Sequence, residues 1–178
     1  SFIGSAKVGW SLRSKLATGT RCLLEHGGAA PVIMDATATI QDALPLLAKG
    51  GYYHAGQVCV SVQRVFAHES IANDVATGLA ELAKRMVVGN PEEKSTEVGP
   101  LILEREVDRV ARWVNEARAS GGVIQAGGTK LSNTCYAPTV ILNPPEDAKV
   151  STEEIFGPVI NVYSYQNRLE AIEKANRV

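Results

Sequence analysis

The chain has 178 residues, 45% of them hydrophobic and 21% charged, with 16 glycines and 8 prolines, a balance that fits a folded domain and excludes low-complexity disorder. A formal net charge of −1 without a long basic run argues against a nucleic-acid partner. Apolar stretches such as Ala29 to Met34 fall far short of the roughly 18–20 residues a membrane helix needs, so no membrane partner is expected.

A chain of this length buries about 70% of the surface its unfolded form exposes, enough for a core without a disulfide or a metal. The three cysteines, Cys22, Cys59 and Cys135, form neither a CxxC pair nor a secreted framework, which points to a reducing, cytoplasmic setting. The chain begins at Ser1 with no charged and apolar leader, and it is expected to be a segment of something longer.

Taken in chain order, Val8, Leu12 and Leu16 share one face of a short helix after Gly4-Ser5. Cys22 to Leu24 and Pro31 to Met34 read as strands separated by the Gly27-Gly28 break. Thr39 and Asp42 stand as N-cap and N3 of a helix through Leu47, with Asp in place of the usual capping-box Glu. Pro45 must lie in the first turn of that helix or kink it. Val60 to Phe66 reads as a strand, and Ile71, Val75, Leu79, Leu82 and Met86 mark a helix that stops at Gly89-Asn90-Pro91. A second amphipathic helix carries Leu103, Val107, Val110, Val114 and Ala117. Strands at Val123 to Ala126, Thr139 to Leu142 and Val159 to Tyr165 follow, with a loop from Asn143 to Lys149 and a last helix from Leu169. This alternation predicts an α/β fold with a mainly parallel sheet and helices on both faces. The paired glycines lack the spacing of a phosphate cradle and read as punctuation.

Three segments can carry chemistry. Cys59, in Ala55-Gly56-Gln57-Val58-Cys59, follows a helix and precedes a strand; it is either an exposed nucleophile beside backbone N–H donors or a space-filling core thiol. Glu25 follows an apolar strand and precedes His26-Gly27-Gly28; partial burial there would raise its pKa and suit a general base, whereas exposure leaves a solvated acid. Glu153 to Pro158 places a carboxylate and Phe156 either beside a ligand or in a polar loop with the ring in the core. His26, His54 and His68 show no metal spacing, and no metal site is expected.

Together, Glu25-His26-Gly27-Gly28, Gly56-Gln57-Val58-Cys59, Glu154-Ile155-Phe156-Gly157-Pro158 and Phe2-Ile3-Gly4-Ser5 resemble the signature motifs of the aldehyde dehydrogenase superfamily in order and spacing. The resemblance implies an NAD- or NADP-dependent oxidation of an aldehyde to a carboxylic acid. Cys59 would be the nucleophile, its own N–H would help to hold the oxyanion, and Glu25 would activate water against the thioester. Glu154 would hydrogen-bond the nicotinamide ribose, Phe156 would pack near the nicotinamide, and Gly4 and Ser5 would lie near the pyrophosphate. His26, Ala29 and Ile3 depart from the usual pattern at neighbours of the chemistry.

Members of the family are much longer. Residues 1–27 would be a remnant of the dinucleotide-binding domain and 28–178 a C-terminally truncated catalytic domain, weakly active or inactive alone and drawn from a homo-oligomeric parent. Glu25 disfavours an acylating enzyme that passes its thioester to coenzyme A. A non-enzymatic module that keeps the fold is the alternative. Tyr52, Tyr53 and His54, just upstream of Cys59, suggest hydrogen bonds to a short or polar aldehyde.

Overall fold

The computed structural model describes residues 1–178. Two sheets organise it. The strands β1 (Phe2–Gly4) and β2 (Leu24–His26) pair in parallel around helix α1 (Ala6–Arg13). A five-stranded sheet in the order β3 (Ala30–Met34), β4 (Val62–His68), β7 (Val159–Tyr165), β6 (Thr139–Leu142), β5 (Val123–Ala126) forms the body; all its pairings are parallel except the antiparallel edge between β5 and β6. The expected mainly parallel α/β architecture is therefore present.

Both faces of the larger sheet are covered, unequally. Helices α2 (Ile40–Tyr52), α3 (Glu69–Arg85) and α4 (Glu104–Ala119) contribute Leu47, Val75, Leu79, Val107, Val110 and Val114 to one continuous core with Val65, Val140 and Ile160. Each such buried aliphatic side chain contributes on the order of 1.5–3 kcal/mol. The opposite face carries a smaller cluster, where Phe66, Tyr163 and Tyr165 meet Ala171 and Ala175 of α6 (Arg168–Ala175). Arg64 is buried on that face without a carboxylate partner. Its Nε donates to the Ala29 carbonyl at 2.7 Å, and its Nη atoms donate to the Lys174 and Ala175 carbonyls at the C-terminal end of α6. Those carbonyls carry the negative end of the helix dipole, which is why a cation is tolerated there. No helix is long and apolar enough to cross a membrane.

Several expectations shift. The strand expected at Cys22 to Leu24 is formed by Leu24–His26, so Glu25 lies within it rather than after it. The strand expected from Val60 starts at Val62, because Ser61 N donates to the Val58 carbonyl at 2.9 Å and closes a turn that leaves Val60 72% exposed. Leu16 lies beyond the end of α1, and Val8 and Leu12 are exposed rather than packed. Thr39 is the N-cap of α2, yet its side chain accepts no capping hydrogen bond. Pro45 stands in the second turn of an uninterrupted α2; Gln41 and Pro45 are both exposed, so the carbonyl that loses its partner faces water. The loop after Asn143 ends in one further turn of helix, α5 (Lys149–Thr152).

Candidate active site

The three chemistry-bearing motifs are separated in sequence but converge through topology. Gly27-Gly28 leads into β3, Cys59 lies three residues before β4, and Glu154 to Pro158 leads into β7. Since β3, β4 and β7 are adjacent and parallel, their N-terminal ends form one rim. Gly4-Ser5 and Glu25 stand at the C-terminal ends of β1 and β2, which close the opposite side. The result is a cleft of about 620 Å³ lined by Gly4, Ser5, Glu25, Cys59, Glu154 and Phe156, all six of the residues singled out from sequence. Its size lies within the range of about 300–1,000 Å³ usual for ligand sites.

Cys59 is held by an irregular loop. After α2, the chain turns through one 3-10 turn, Tyr53–Gly56, in which His54, Ala55 and Gly56 all have left-handed φ, at 49°, 56° and 72°. Left-handed backbone costs an L-residue roughly 1–2 kcal/mol, so the loop persists only because its surroundings hold it. Gln57 is one such hold: its Nε2 donates to the carbonyls of His54 and Pro100 at 3.1 and 3.2 Å, and its Oε1 accepts from Ile102 N at 2.9 Å. Glycines allow the motifs to touch. A Cβ on Gly28 would lie 2.5 Å from the Cys59 carbonyl oxygen, and one on Gly56 would collide with the Gly157 carbonyl. Cys59 is exposed, and its backbone N–H donates to no acceptor within the chain, leaving it free for a ligand oxygen.

Glu25 is exposed, the solvated of the two alternatives for this acid: its strand lies at the cleft mouth, with only β1 beside it. Alternation along β2 sends His26 the other way, against the Trp10 ring at 5.1 Å and under Gly9 of α1. The desolvated acid is Glu154, whose carboxyl is pushed up by burial against the opposing pull of Arg109 and His26. Phe156, with φ 49°, is exposed at the cleft rather than plugged into the core.

Tyr52, Tyr53 and His54 do not serve the cleft. Tyr52 is buried and donates to the Thr139 carbonyl at 3.1 Å, while the Tyr53 ring lies tilted against His54 and faces a groove with Leu46 and Val60. Helix α4 instead contributes a face that the sequence reading passed over. Arg109 bonds Glu106 at 2.8 Å, lies 4.6 Å from the centroid of the Trp113 ring and donates to the Ile155 carbonyl at 2.7 Å; all three side chains line the cleft. Their i, i+3, i+7 spacing beside the buried valine stripe was the available signal.

An acid held above its unfolded pKa favours the folded state while it is protonated, and that contribution is lost as pH rises through its native titration. Glu154→Gln should therefore melt at a higher temperature than the parent near neutral pH. The gap should close towards about pH 3, below the ordinary glutamate pKa of about 4.3, where folded and unfolded carboxyls are both protonated. Thermal denaturation across this range checks it; a pH-independent difference would contradict it.

The sequence profile of the Aldehyde dehydrogenase family matches residues 1–178. The chain belongs to the aldehyde dehydrogenase family. It is 37% identical over 176 residues to a 3-sulfolactaldehyde dehydrogenase of Priestia aryabhattai, covering 99% of this chain and 36% of the relative. It is 36% identical over 181 residues to a D-glyceraldehyde dehydrogenase (NADP(+)) of Picrophilus torridus, covering 97% of this chain and 36% of the relative. Among aldehyde dehydrogenases of known structure, betaine aldehyde dehydrogenase of Staphylococcus aureus in complex with NAD+ superposes with a TM-score of 0.91 at 31% identity, over 99% of this chain and 36% of that one. Aldehyde dehydrogenase 21 of Physcomitrella patens, in complex with the reaction product succinate, also gives 0.91, at 34% identity over 98% and 36% of the two chains. The chain thus spans about 36% of the length of these aldehyde dehydrogenases.

Proposed function

We propose that this chain carries the acyl-transfer centre of an NAD(P)-dependent aldehyde dehydrogenase that oxidises an aldehyde to its carboxylic acid. The observation that carries the reading is one cleft in which an exposed thiol with a free backbone N–H, an exposed carboxylate and a desolvated carboxylate face the same space.

The Cys59 thiolate adds to the aldehyde carbon, and the Cys59 N–H donates to the oxyanion of the resulting thiohemiacetal. The chemistry that a bound NAD(P) supplies is acceptance of the hydride that leaves that carbon, so that Cys59 then carries a thioester. Glu25, at the open mouth of the cleft, takes a proton from the water that attacks this thioester, and the acid departs as the thiol is restored. The dinucleotide fits the residues present. Glu154 offers a carboxylate to ribose hydroxyls, Phe156 an exposed ring to the nicotinamide, and Gly4 and Ser5 lead into the N-terminus of α1, which has no side-chain cap and no acidic residue in its first turn. The two-domain reading, 1–27 as dinucleotide-binding part and 28–178 as catalytic part, is supported by the separation of the two sheets at Gly27-Gly28.

Alkylation by iodoacetamide tests the nucleophile. Cys59 in the folded chain should react several-fold faster than the same residue in urea, because exposure alone cannot exceed the unfolded rate. Cys22 and Cys135, both half-buried, should react more slowly folded than unfolded. Mass spectrometry of the labelled peptides reads all three; a Cys59 rate at or below its unfolded value favours a module that keeps the fold without the chemistry.

A further inference from the structure

Gln63 is a polar side chain at an irregularity near the start of β4, where Val62 and Arg64 pair with the consecutive residues Ala30 and Pro31 and Gln63 is the extra residue between them. It is only 4% exposed, and a buried carboxamide is costly unless it is satisfied. Its three hydrogen bonds all reach the segment that carries Glu154. Nε2 donates to the Glu153 carbonyl at 2.7 Å and to the Val150 carbonyl at 3.1 Å, while Oε1 accepts from Ile155 N at 2.8 Å. The carboxamide therefore grips the peptide groups immediately before and after Glu154. Two further donors complete the hold: Asn161 Nδ2 on the Val150 carbonyl at 2.8 Å, and Arg109 Nη2 on the Ile155 carbonyl at 2.7 Å.

Glu154 needs such a hold. Its own carboxylate accepts no hydrogen bond from the chain, so the backbone on either side decides where it points. The next turn is strained, since Phe156 is left-handed, and a strained turn persists only where its neighbours over-determine it. We propose that Gln63 is a positioning residue that fixes Glu154 at the wall of the Cys59 cleft. One run of chain, from Cys59 to Gln63, thereby sets both the thiol and the carboxylate along the same rim. Its consequence for cofactor binding rests on the reading of Glu154 as the ribose ligand; the grip itself does not.

The test compares Gln63→Leu and Gln63→Glu in the 178-residue chain. In folded Gln63→Leu, exchange of the Ile155 amide should quicken by at least roughly tenfold, the loss of one buried hydrogen bond. The Glu154 carboxyl, followed by NMR, should titrate lower, towards an ordinary glutamate, as its segment opens to water. Gln63→Glu should keep Ile155 protected in mild acid, where a neutral carboxyl still accepts from Ile155 and donates to one carbonyl. It should lose that protection as it ionises against two carbonyls. Should the leucine variant fail to fold, this pH series carries the same test. Unchanged Ile155 exchange and unchanged Glu154 titration in a folded variant overturn the proposal, and so does faster exchange without any change at Glu154, which would make Gln63 merely structural. NAD+ titrated into the parent chain separates the two levels: binding that shifts the Glu154 carboxyl resonance supports the ribose reading, whereas binding that leaves Glu154 unmoved, with Glu154 responding to Gln63 as expected, removes that reading and leaves the positioning role.

Discussion

Mixed with 4-nitrophenyl acetate, the folded chain should release 4-nitrophenolate in a stoichiometric burst followed by slow turnover. This activated ester needs no hydride acceptor, so it isolates the steps assigned to Cys59 and Glu25 from everything the dinucleotide supplies. The exposed thiol attacks the ester carbonyl, the free Cys59 N–H meets the oxyanion, and acetyl-Cys59 forms as nitrophenolate leaves. Cys59→Ser should abolish the burst, because a hydroxyl at the same place is far less nucleophilic near neutral pH. Glu25→Gln should keep the burst and slow the turnover that follows by about 10²–10⁴-fold, the usual contribution of a positioned general base. His26 cannot substitute for it, since it lies on the other side of β2 against Trp10. Stopped-flow absorbance reads both phases. A burst that survives in Cys59→Ser, or an unchanged steady rate in Glu25→Gln, would remove these residues from the chemistry.

The largest structural effect is expected at Gly56. Its φ of 72° lies in the left-handed region, and a methyl group there meets the Gly157 carbonyl. The backbone term costs about 1–2 kcal/mol and the collision about 1–3 kcal/mol. A total of about 3 kcal/mol lowers the melting temperature of a domain this size by roughly 6–12 °C. Gly121→Ala is the control: φ there is 107°, but nothing lies within 4 Å of the added carbon, so only the backbone term of about 1 kcal/mol applies. Gly56→Ala should also slow alkylation of Cys59, because relief of the collision must shift the loop against the Glu154 to Pro158 segment. Equal melting temperatures for the two variants would show that the contact between the motifs carries no energy.

Much of the fold is legible in the residues. The strands Val123–Ala126, Thr139–Leu142 and Val159–Tyr165 lie where β-branched runs place them, and α3 and α4 follow their apolar stripes closely. Where the reading slipped, the cause is tertiary. Val60 looks like strand by composition, but the turn that presents Cys59 claims it. Tyr52 looked available to a substrate because it stands near Cys59 in sequence, but the end of α2 turns it inward to Thr139. The desolvated acid is Glu154, whereas Glu25 is exposed, because burial depends on which elements cover a residue and not on its neighbours in the chain.

By itself the sequence determined the alternation of strands and helices, the six residues of the candidate site and the family to which their motifs belong, because periodicity and motif spacing are local properties of the chain. Only the tertiary structure decided that these residues share one cleft. Three motifs distant in sequence meet because they precede neighbouring parallel strands, whose N-terminal ends must lie along a single rim. It also decided what holds them there, the bonds of Gln57 and Gln63 and the close approaches of Gly28 and Gly56, since each of these joins segments that nothing in local sequence brings together.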